Sequence, residues 1–300
     1  MTARTLPTLT LAVALSALSL TACGGSSGGG DTGAKATASS GGAPLAASLP
    51  KAIRDAGVIK VGSDIAYAPV EFFDTDGKTA IGIDPDLGKA LESQLGVKLQ
   101  FQNGTFDGLI TSLRSKRIDL IMSAMSDTPE RQKSIDFVDY FTAGTSILVK
   151  KGNPEKIQSL DDFCGKTIAL QRGTTQDDVA TAQEAKCKAA GKPLKVLKFD
   201  RDTEALLQVK QGRAVADMND FPVAAYNAKT SGGGNDFEVV GEQIEAGPYG
   251  IGVRKTDTQL RDALQKALQA VIDNGEYAKV LEKWNVKQGA VTSATVNGGK

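Results

Sequence analysis

Histidine is absent from the 300 residues of this chain. Its absence excludes a histidine general base, a Ser-His-Asp triad and a histidine-rich metal site. An excess of charge is absent too, because 35 basic residues balance 35 acidic ones. Nothing in the composition therefore points to a nucleic-acid partner. These absences favour binding over catalysis, and we predict that the protein uses no metal and no cofactor.

Cysteine is scarce, and the first of three cysteines follows an apolar run near the start of the chain. Arg4 gives this segment a positive start, and the run from Leu6 to Leu20 is too short to span a bilayer comfortably. Residues 1–22 therefore predict an export signal. The run ends in Leu20-Thr21-Ala22-Cys23, which resembles the lipobox of bacterial lipoproteins. That resemblance implies cleavage before Cys23 and a diacylglycerol on its sulfur, whereas the alternative is plain secretion.

Apolar periodicity is missing from residues 23–47, which consist mainly of Gly, Ser, Ala and Thr. Such a composition does not bury enough surface to order itself. We predict a flexible tether with a root-mean-square reach of roughly 25 to 30 Å. With a lipid on Cys23, the tether would hold a folded body at the outer face of the cytoplasmic membrane.

From residue 48 onward, short apolar runs alternate with amphipathic stretches, which predicts an α/β fold with mostly parallel strands. Val58–Ser63 is the first predicted strand, and Asp64 and Tyr67 follow it in a loop. Open α/β sheets bind ligands at the carboxyl ends of their strands, so both residues are candidates for ligand contact. Asp84 is predicted to cap the next helix as a surface residue.

The most informative stretch runs from Asp119 to Gln132. It begins with a short apolar run typical of a buried strand and continues with N-cap formers placed before Pro129. Arg131 then falls in the first helical turn, where the helix dipole disfavours a cation. A bound anion would explain this placement, because N–H groups and a guanidinium converge there on one carboxylate. The alternative is a surface Arg131 paired with Glu130 or Asp136.

Ser126, Thr128 and Arg131 stand in the pattern Ser-x-Thr-x-x-Arg, with Ser123 and Ala124 before it. In this pattern the chain resembles the family-3 extracellular solute-binding proteins, the amino-acid receptors of ABC importers. The resemblance implies a two-lobed periplasmic-binding-protein-like fold of type II, in which the serines and Arg131 grip the α-carboxylate of an amino acid. Several members have Ser where this chain has Ala124, so one hydroxyl contact is missing here.

The resemblance covers about Val58 to Trp284 and implies further ligand contacts. Tyr67 and Phe106 stand where the family places walls of its pocket, and Gly173 and Thr175 stand where the second lobe contacts the carboxylate. A half-buried loop tyrosine and a core phenylalanine are the alternatives for the first two residues.

The sequence of Leu109–Ser123 resembles that of Ala205–Asn219 without gaps, so that a predicted helix aligns with a helix and a predicted strand with a strand. Asp220 follows the second copy at the position that Ala124 holds after the first. By the resemblance, Asp220 binds the α-ammonium group, whereas the alternative is an acid that caps the helix at Pro222. Two facing strand ends, one cationic and one anionic, would then bind the two poles of an amino acid.

The chain is expected to cross between the lobes twice, near Thr145–Lys150 and near Gly247–Val253, and adjacent crossings form a hinge. The domain boundaries follow from these crossings. We predict lobe one as residues 48–144 plus 249–287, lobe two as residues 145–248, and a loose tail at 288–300.

Cys164 and Cys187 are the remaining cysteines, and an exported chain folds in an oxidising compartment. A disulfide between them would join the start of lobe two to its first helix and stabilise it by roughly 3 kcal/mol in the chain-entropy model. Two free thiols are the alternative.

By the resemblance, the partners of a monomeric receptor are a free amino acid, a membrane permease and the ATPase of that permease. Asp64, Glu71 and Asp107 would favour a basic side chain, but the sequence does not identify the amino acid. The fold also resembles secreted cyclic-acid dehydratases, so an enzyme with one of these three residues as general acid is a second interpretation. A sensor ectodomain with a separate signalling partner is the third.

Overall fold

The computed structural model describes residues 42–300. The predicted export signal at 1–22, the lipidation site at Cys23 and most of the predicted linker lie outside the described residues. The strands are β1 Val58–Ser63, β2 Ala66–Tyr67, β3 Glu71–Phe73, β4 Ala80–Ile81, β5 Lys98–Asn103, β6 Leu120–Ile121, β7 Ile135–Lys150, β8 Thr167–Gln171, β9 Lys195–Phe199, β10 Ala216–Asp220, β11 Phe237–Arg254 and β12 Thr295–Val296. The α-helices are α1 Lys51–Ala56, α2 Ile83–Leu95, α3 Leu109–Arg114, α4 Pro129–Gln132, α5 Thr175–Ala189, α6 Asp202–Lys210, α7 Phe221–Thr230, α8 Thr258–Asp273 and α9 Glu276–Lys283. Within residues 42–300, every helix is too short or too polar to cross a membrane.

Most of the strands form one mixed sheet that runs through two lobes. Its order is β5-β1-β6-β11-β7-β10-β8-β9, with β12 added beside β7. In lobe one, β5, β1 and β6 are parallel, and in lobe two, β9, β8 and β10 are parallel. The long strands β7 and β11 pair antiparallel between these two sets and extend into both lobes. This is the two-lobed α/β architecture with two crossing segments that the sequence predicts.

The two crossings are the middle parts of β7 and β11. The register between these strands shifts between Val240 and Ile244, and again between Ile244 and Gly247. Glu245, inside the second shift, has a left-handed backbone with φ of 48°. Regular pairing is thus interrupted just before the predicted return crossing, where the chain passes from one lobe to the other.

Each lobe has its own hydrophobic core. In lobe one the leucines of α2 and α8 recur every four residues, so that one face of each helix is apolar. These leucines are fully buried together: Leu87, Leu91 and Leu95 of α2, and Leu264 and Leu268 of α8. Burying one leucine stabilises the fold by about 1.5 to 3 kcal/mol, so this spacing decides which helix faces meet.

The core of lobe two is bordered by a disulfide between Cys164 and Cys187, whose Cα atoms are 4.9 Å apart. The bond joins the segment before β8 to α5, beside the buried side chains of Phe163, Ile168 and Leu170. The predicted disulfide is therefore confirmed, and the alternative of two free thiols is wrong.

The tail at 288–300 is not loose, and that prediction is wrong. β12 pairs with β7, and the N–H groups of Gly298 and Gly299 donate to Asp139 at 2.9 Å and to Asp127 at 2.8 Å. The sequence did not predict this contact because the tail has no apolar periodicity. Hydrogen bonds from its backbone N–H groups to buried carboxylates hold it instead.

The start of the folded body also differs from the prediction. Leu45 N donates a hydrogen bond to Gln94 O at 2.8 Å, and Ala46–Ser48 forms a 3₁₀ turn. The described end of the predicted linker, residues 42–47, therefore packs on lobe one instead of extending freely.

Candidate functional site

A narrow cavity lies between the two lobes. The carboxyl ends of β1 and β6 face it from lobe one, and those of β8 and β10 face it from lobe two, at the sheet edge where α/β proteins place ligands. Its lining consists of Asp64, Tyr67, Glu71, Phe106, Ser123, Ala124, Ser126, Arg131, Gln171, Thr174, Thr175, Gln176 and Asp220. The structure thus brings together every predicted ligand contact except Gly173, and it adds side chains that the sequence reasoning did not assign to the ligand.

Arg131 reaches this cavity from α4, a helix of a single turn. Thr128 caps that helix, and its hydroxyl accepts a hydrogen bond from Arg131 N at 3.3 Å. The guanidinium donates to Ser126 O at 2.9 Å and, across the cleft, to Gly173 O at 3.1 Å. Its Cζ atom lies 5.3 Å from the centre of the Phe106 ring. Burial lowers the pKa of the guanidinium, which stays cationic because arginine titrates far above neutral pH.

The alternative of a surface Arg131 paired with a neighbouring acid is wrong. Glu130 pairs with Lys133, three residues later. Asp136 pairs with Lys255 and Arg261. The guanidinium is held by carbonyl groups instead, which leaves its charge for a group in the cavity.

Asp220 faces Arg131 from the end of β10. It is 6% exposed, and its two carboxylate oxygens accept from Tyr67 Oη at 3.0 Å and from Gln176 Nε2 at 2.9 Å. Asp220 is the N-cap residue of α7, as the alternative has it, but its side chain makes no capping hydrogen bond and faces the cavity. Burial raises the pKa of this carboxyl to about 6, against the lowering effects of its hydrogen bonds and of Arg131.

Tyr67 does more than form an aromatic wall. Its hydroxyl donates to the Asp220 carboxylate and also accepts from Asp220 N at 2.9 Å. Since β2 belongs to lobe one and β10 to lobe two, this hydroxyl joins the lobes beside the cavity. The half-buried loop tyrosine of the alternative interpretation does not describe this side chain, which is 9% exposed.

Asp64 follows β1 and is 2% exposed. One of its carboxylate oxygens pairs with Arg201 Nη1, and the other accepts from Gln171 Nε2, both from lobe two. Burial raises its pKa to about 6, and Arg201 opposes that rise. Gln171 ends β8 and Arg201 lies two residues after the end of β9, so both partners also come from strand ends.

Glu71 and Ser123 form the floor of the cavity in lobe one. Ser123 Oγ donates to Glu71 Oε1 at 2.9 Å and accepts from Asp64 N at 2.8 Å. Glu71 Oε2 is buried and finds no hydrogen-bond donor among the described residues. Burial raises the pKa of Glu71 well above its ordinary value, and the neighbouring Asp84 raises it further.

The prediction that Asp84 is a surface cap is wrong. Gly82 occupies the N-cap of α2, and the Asp84 side chain turns inward, where it is fully buried. It accepts from Tyr140 Oη at 2.7 Å and from Ala124 N at 3.3 Å. Burial raises its pKa to about 7. Ala124, whose backbone is left-handed with φ of 45°, is thereby held in place at the cavity.

The turn after β8 brings lobe two close to lobe one. Thr174 caps α5, because its hydroxyl accepts from Asp177 N at 3.2 Å, and Thr175 is the first residue of that helix. Gly173 has φ of +75°, and a Cβ atom there would lie 3.0 Å from Asp107 Cβ. Asp107 itself is exposed and does not line the cavity. The lack of a side chain at Gly173 thus allows the two lobes to lie close together at this turn.

Residues 59–287 match the bacterial extracellular solute-binding proteins, family 3. The chain belongs to this family. The arginine-binding extracellular protein ArtP of Bacillus subtilis is 32% identical over 277 residues, which cover 92% of this chain and 96% of ArtP. The arginine-binding protein ArgT of Corynebacterium glutamicum is 31% identical over 255 residues, 84% of this chain and 82% of ArgT.

Solved structures show the same similarity. An ancestral arginine-binding protein bound to arginine is 38% identical, with a TM-score of 0.71, and covers 76% of this chain and 98% of its own. An ancestral amino-acid-binding protein described as a precursor of cyclohexadienyl dehydratase is also 38% identical, with a TM-score of 0.70, and covers 78% of this chain and 97% of its own. The two-lobed fold of this solute-binding protein is therefore that of known amino-acid-binding proteins.

Proposed function

We propose that this solute-binding protein captures a free amino acid with a cationic side chain, arginine above all, and presents it to the membrane permease of an ABC importer. The observation that carries the proposal is that Arg131 and Asp220, from different lobes, line the same cavity. In this proposal Arg131 binds the α-carboxylate and Asp220 binds the α-ammonium group. A zwitterion satisfies both charges at once, whereas a simple acid or amine satisfies one.

The charges that line the cavity support a cationic side chain. Three carboxyl groups line it, those of Asp64, Glu71 and Asp220, against one guanidinium, that of Arg131. Buried charges of one sign are costly unless a partner of opposite sign is present. A cationic side chain would also favour the ionised form of Glu71, whose pKa burial raises well above its ordinary value. The arginine-binding relatives support the same ligand class.

Capture follows from the position of these groups on different lobes. A ligand that touches both lobes binds the closed form better than the open form, and this difference in affinity drives closure. The interrupted pairing of β7 and β11 supplies the place where the lobes rotate in this proposal. The closed, loaded form is then the form that the permease and its ATPase recognise.

The test is calorimetric titration of the purified body with arginine, lysine, histidine, glutamine and glutamate. We expect arginine to bind most tightly and glutamate not to bind, because a second carboxylate would meet Glu71 and Asp64. A protein that prefers glutamate, or binds no amino acid, contradicts the proposal.

The membrane attachment rests on the sequence alone. We propose that Cys23 carries the lipid and that the protein works as a monomer at the outer face of the cytoplasmic membrane. Cells grown with labelled palmitate are expected to label the wild-type chain. A Cys23→Ser chain is expected to lose the label and leave the membrane fraction, and a labelled Cys23→Ser chain contradicts the assignment.

An enzymatic role as a cyclic-acid dehydratase is the second candidate. Glu71 favours it, because a buried carboxyl with a raised pKa in a cavity is suited to act as a general acid. Asp220 does not favour it, because a cyclic acid lacks an ammonium group. Loss of prephenate absorbance on incubation with the protein would support the enzyme, and a constant absorbance would support binding.

A further inference from the structure

Arg201 occupies a position that its own helix disfavours. It is the N-cap residue of α6, where Ser, Thr, Asp and Asn are the preferred residues. A cation there also meets the positive end of the helix dipole. Asp202 and Glu204 in the first turn offset part of this charge. A locally unfavourable cation points to a partner elsewhere, as it does for Arg131.

That partner lies in the other lobe. Arg201 Nη1 pairs with Asp64 Oδ1 and lies 3.4 Å from Asn103 Oδ1, and both acceptors belong to lobe one. The Asp64 side chain is 3% exposed and the Arg201 side chain 28% exposed, so the pair is shielded from water on the side of the acid. Gln171 Nε2 occupies the second oxygen of Asp64. Both oxygens of this carboxylate are thus held by donors from lobe two.

Asp64 nevertheless lines the cavity, whereas Arg201 is not part of the lining. A carboxylate that already has a guanidinium partner attracts a second cation less strongly than an unpaired carboxylate does. We propose that Arg201 is a positioning residue that orients Asp64 and lowers the preference of the site for a cationic over a neutral side chain of the same shape. This inference rests on the proposed function, since it concerns the side-chain end of the same site.

Arg172 provides a matched control. It also follows a strand end of lobe two, but it pairs with Asp200 of its own lobe, and its side chain is 48% exposed. Removal of Arg172 deletes the same charge from the same edge of lobe two without touching Asp64. A difference between the variants at the two positions is therefore due to the contact with Asp64, because both variants change the net charge of the protein equally.

The experiment compares arginine with citrulline, its neutral isostere, by calorimetry at about pH 8. In Arg201→Met we expect the ratio of citrulline Kd to arginine Kd to rise about tenfold above wild type, because Asp64 then meets the ligand as an unshared charge. Arg201→Lys, which keeps a cation, is expected to restore much of the wild-type ratio. Arg172→Met is expected to leave the ratio unchanged.

A purely structural role for Arg201 would weaken arginine and citrulline equally. A ratio in Arg201→Met within about twofold of wild type, or below it, would overturn the proposal. A second measurement needs no ligand. The fraction of ligand-free molecules in the closed form, read from the distance between fluorescent labels on the two lobes, is expected to fall in Arg201→Met and not in Arg172→Met. If wild type binds no amino acid, the proposed function fails, and an unchanged label distance in Arg201→Met then overturns the cross-lobe role separately.

Discussion

The ends of β6 and β10 hold equivalent places in the two lobes but carry opposite chemistry. In the two similar segments of the sequence, β6 follows helix α3 and β10 follows helix α6, so the two segments have the same order of elements in the structure. After β6 comes Ala124, with a left-handed φ of 45°, and then the turn that carries Arg131. β10 ends at Asp220 itself, which has an extended backbone at φ of −73°. The shared framework decides where the residues lie, and the residues decide which pole of a ligand each lobe binds.

Removal of the cation from lobe one is expected to have the largest effect. Loss of one partner of a buried charged contact costs about 3 to 5 kcal/mol, so Arg131→Ala is expected to weaken arginine binding by about 10²- to 10⁴-fold. Agmatine, which is arginine without its carboxylate, provides the control. Its weak binding is expected to change little in the variant. An equal loss for arginine and agmatine would show that Arg131 does not bind the carboxylate.

Removal of the acid from lobe two is expected to have the next largest effect. Asp220→Asn keeps the shape of the side chain but removes the charge, and we expect arginine to bind about 10²-fold more weakly. An arginine analogue without the α-amino group is expected to lose much less. Calorimetry with both ligands checks the prediction, and near-normal arginine affinity in Asp220→Asn would contradict it.

The pH dependence of binding distinguishes the two lobes as well. Burial raises the pKa of Asp220 to about 6, and the ligand's ammonium group favours the ionised carboxylate. The affinity for arginine is therefore highest at pH values above that pKa. Below the pKa it falls by about tenfold per pH unit, because the carboxylate becomes protonated. We expect arginine to bind about tenfold more weakly at about pH 5 than at about pH 7. Asp220→Asn is expected to flatten this profile, and an unchanged slope in the variant would assign the titration to another group.

The raised pKa values also affect the stability of the ligand-free protein. This stability falls as the pH rises, whereas the affinity for the ligand increases. Asp64 and Asp220 each bind a proton more tightly in the folded state, where their pKa is about 6, than in the unfolded state. Their contribution to stability is thus full below about pH 4 and is lost as the pH rises to about 6. The increase in Tm on addition of arginine is expected to grow over this same interval. A Tm shift that shrinks from about pH 4 to about pH 6 would contradict the assignment.

A methyl group at the meeting point of the lobes is expected to have a smaller effect. Gly173→Ala places a Cβ atom 3.0 Å from Asp107 Cβ and also strains a backbone at φ of +75°. Gly191→Ala has the same strain, at φ of +73°, but meets no atom within 4 Å. We expect Gly173→Ala to weaken arginine binding about tenfold, because only the closed form is hindered, and Gly191→Ala to leave affinity unchanged. Equal affinities in the two variants would show that the lobes do not close at this turn.

The disulfide is expected to have the smallest effect on binding. It lies inside lobe two and contacts neither the cavity nor lobe one. The double variant Cys164→Ser/Cys187→Ser is expected to lose about 3 kcal/mol of unfolding free energy in the chain-entropy model. Arginine affinity is expected to stay within about twofold of wild type. Denaturant unfolding and calorimetry check both statements, and a large loss of affinity would show that lobe two changes shape without the bond.

The sequence predicted those parts of the site that local signals describe. Arg131 was found because a cation in a first helical turn is disfavoured, and the strand ends were found from apolar runs followed by polar residues. Their places around the cavity agree with the prediction. Their roles as ligand contacts stay predictions.

The rest depends on residues that are distant in the chain. Asp84 satisfies the pattern of a helix cap equally well, and its burial is decided by Tyr140, which arrives from β7. The tail was missed because its partners are the carboxylates of Asp127 and Asp139, which no local pattern connects to it. The sequence made no prediction about Arg201, and only the fold shows that its partner is Asp64.

The most direct test of the account is a crystal structure of the protein with arginine. We predict the ligand's carboxylate within about 3 Å of the Arg131 guanidinium, in lobe one, and its ammonium group within about 3 Å of the Asp220 carboxylate, in lobe two. An arginine whose two poles are both held by one lobe, or an Arg131 guanidinium that points into bulk water, would contradict it.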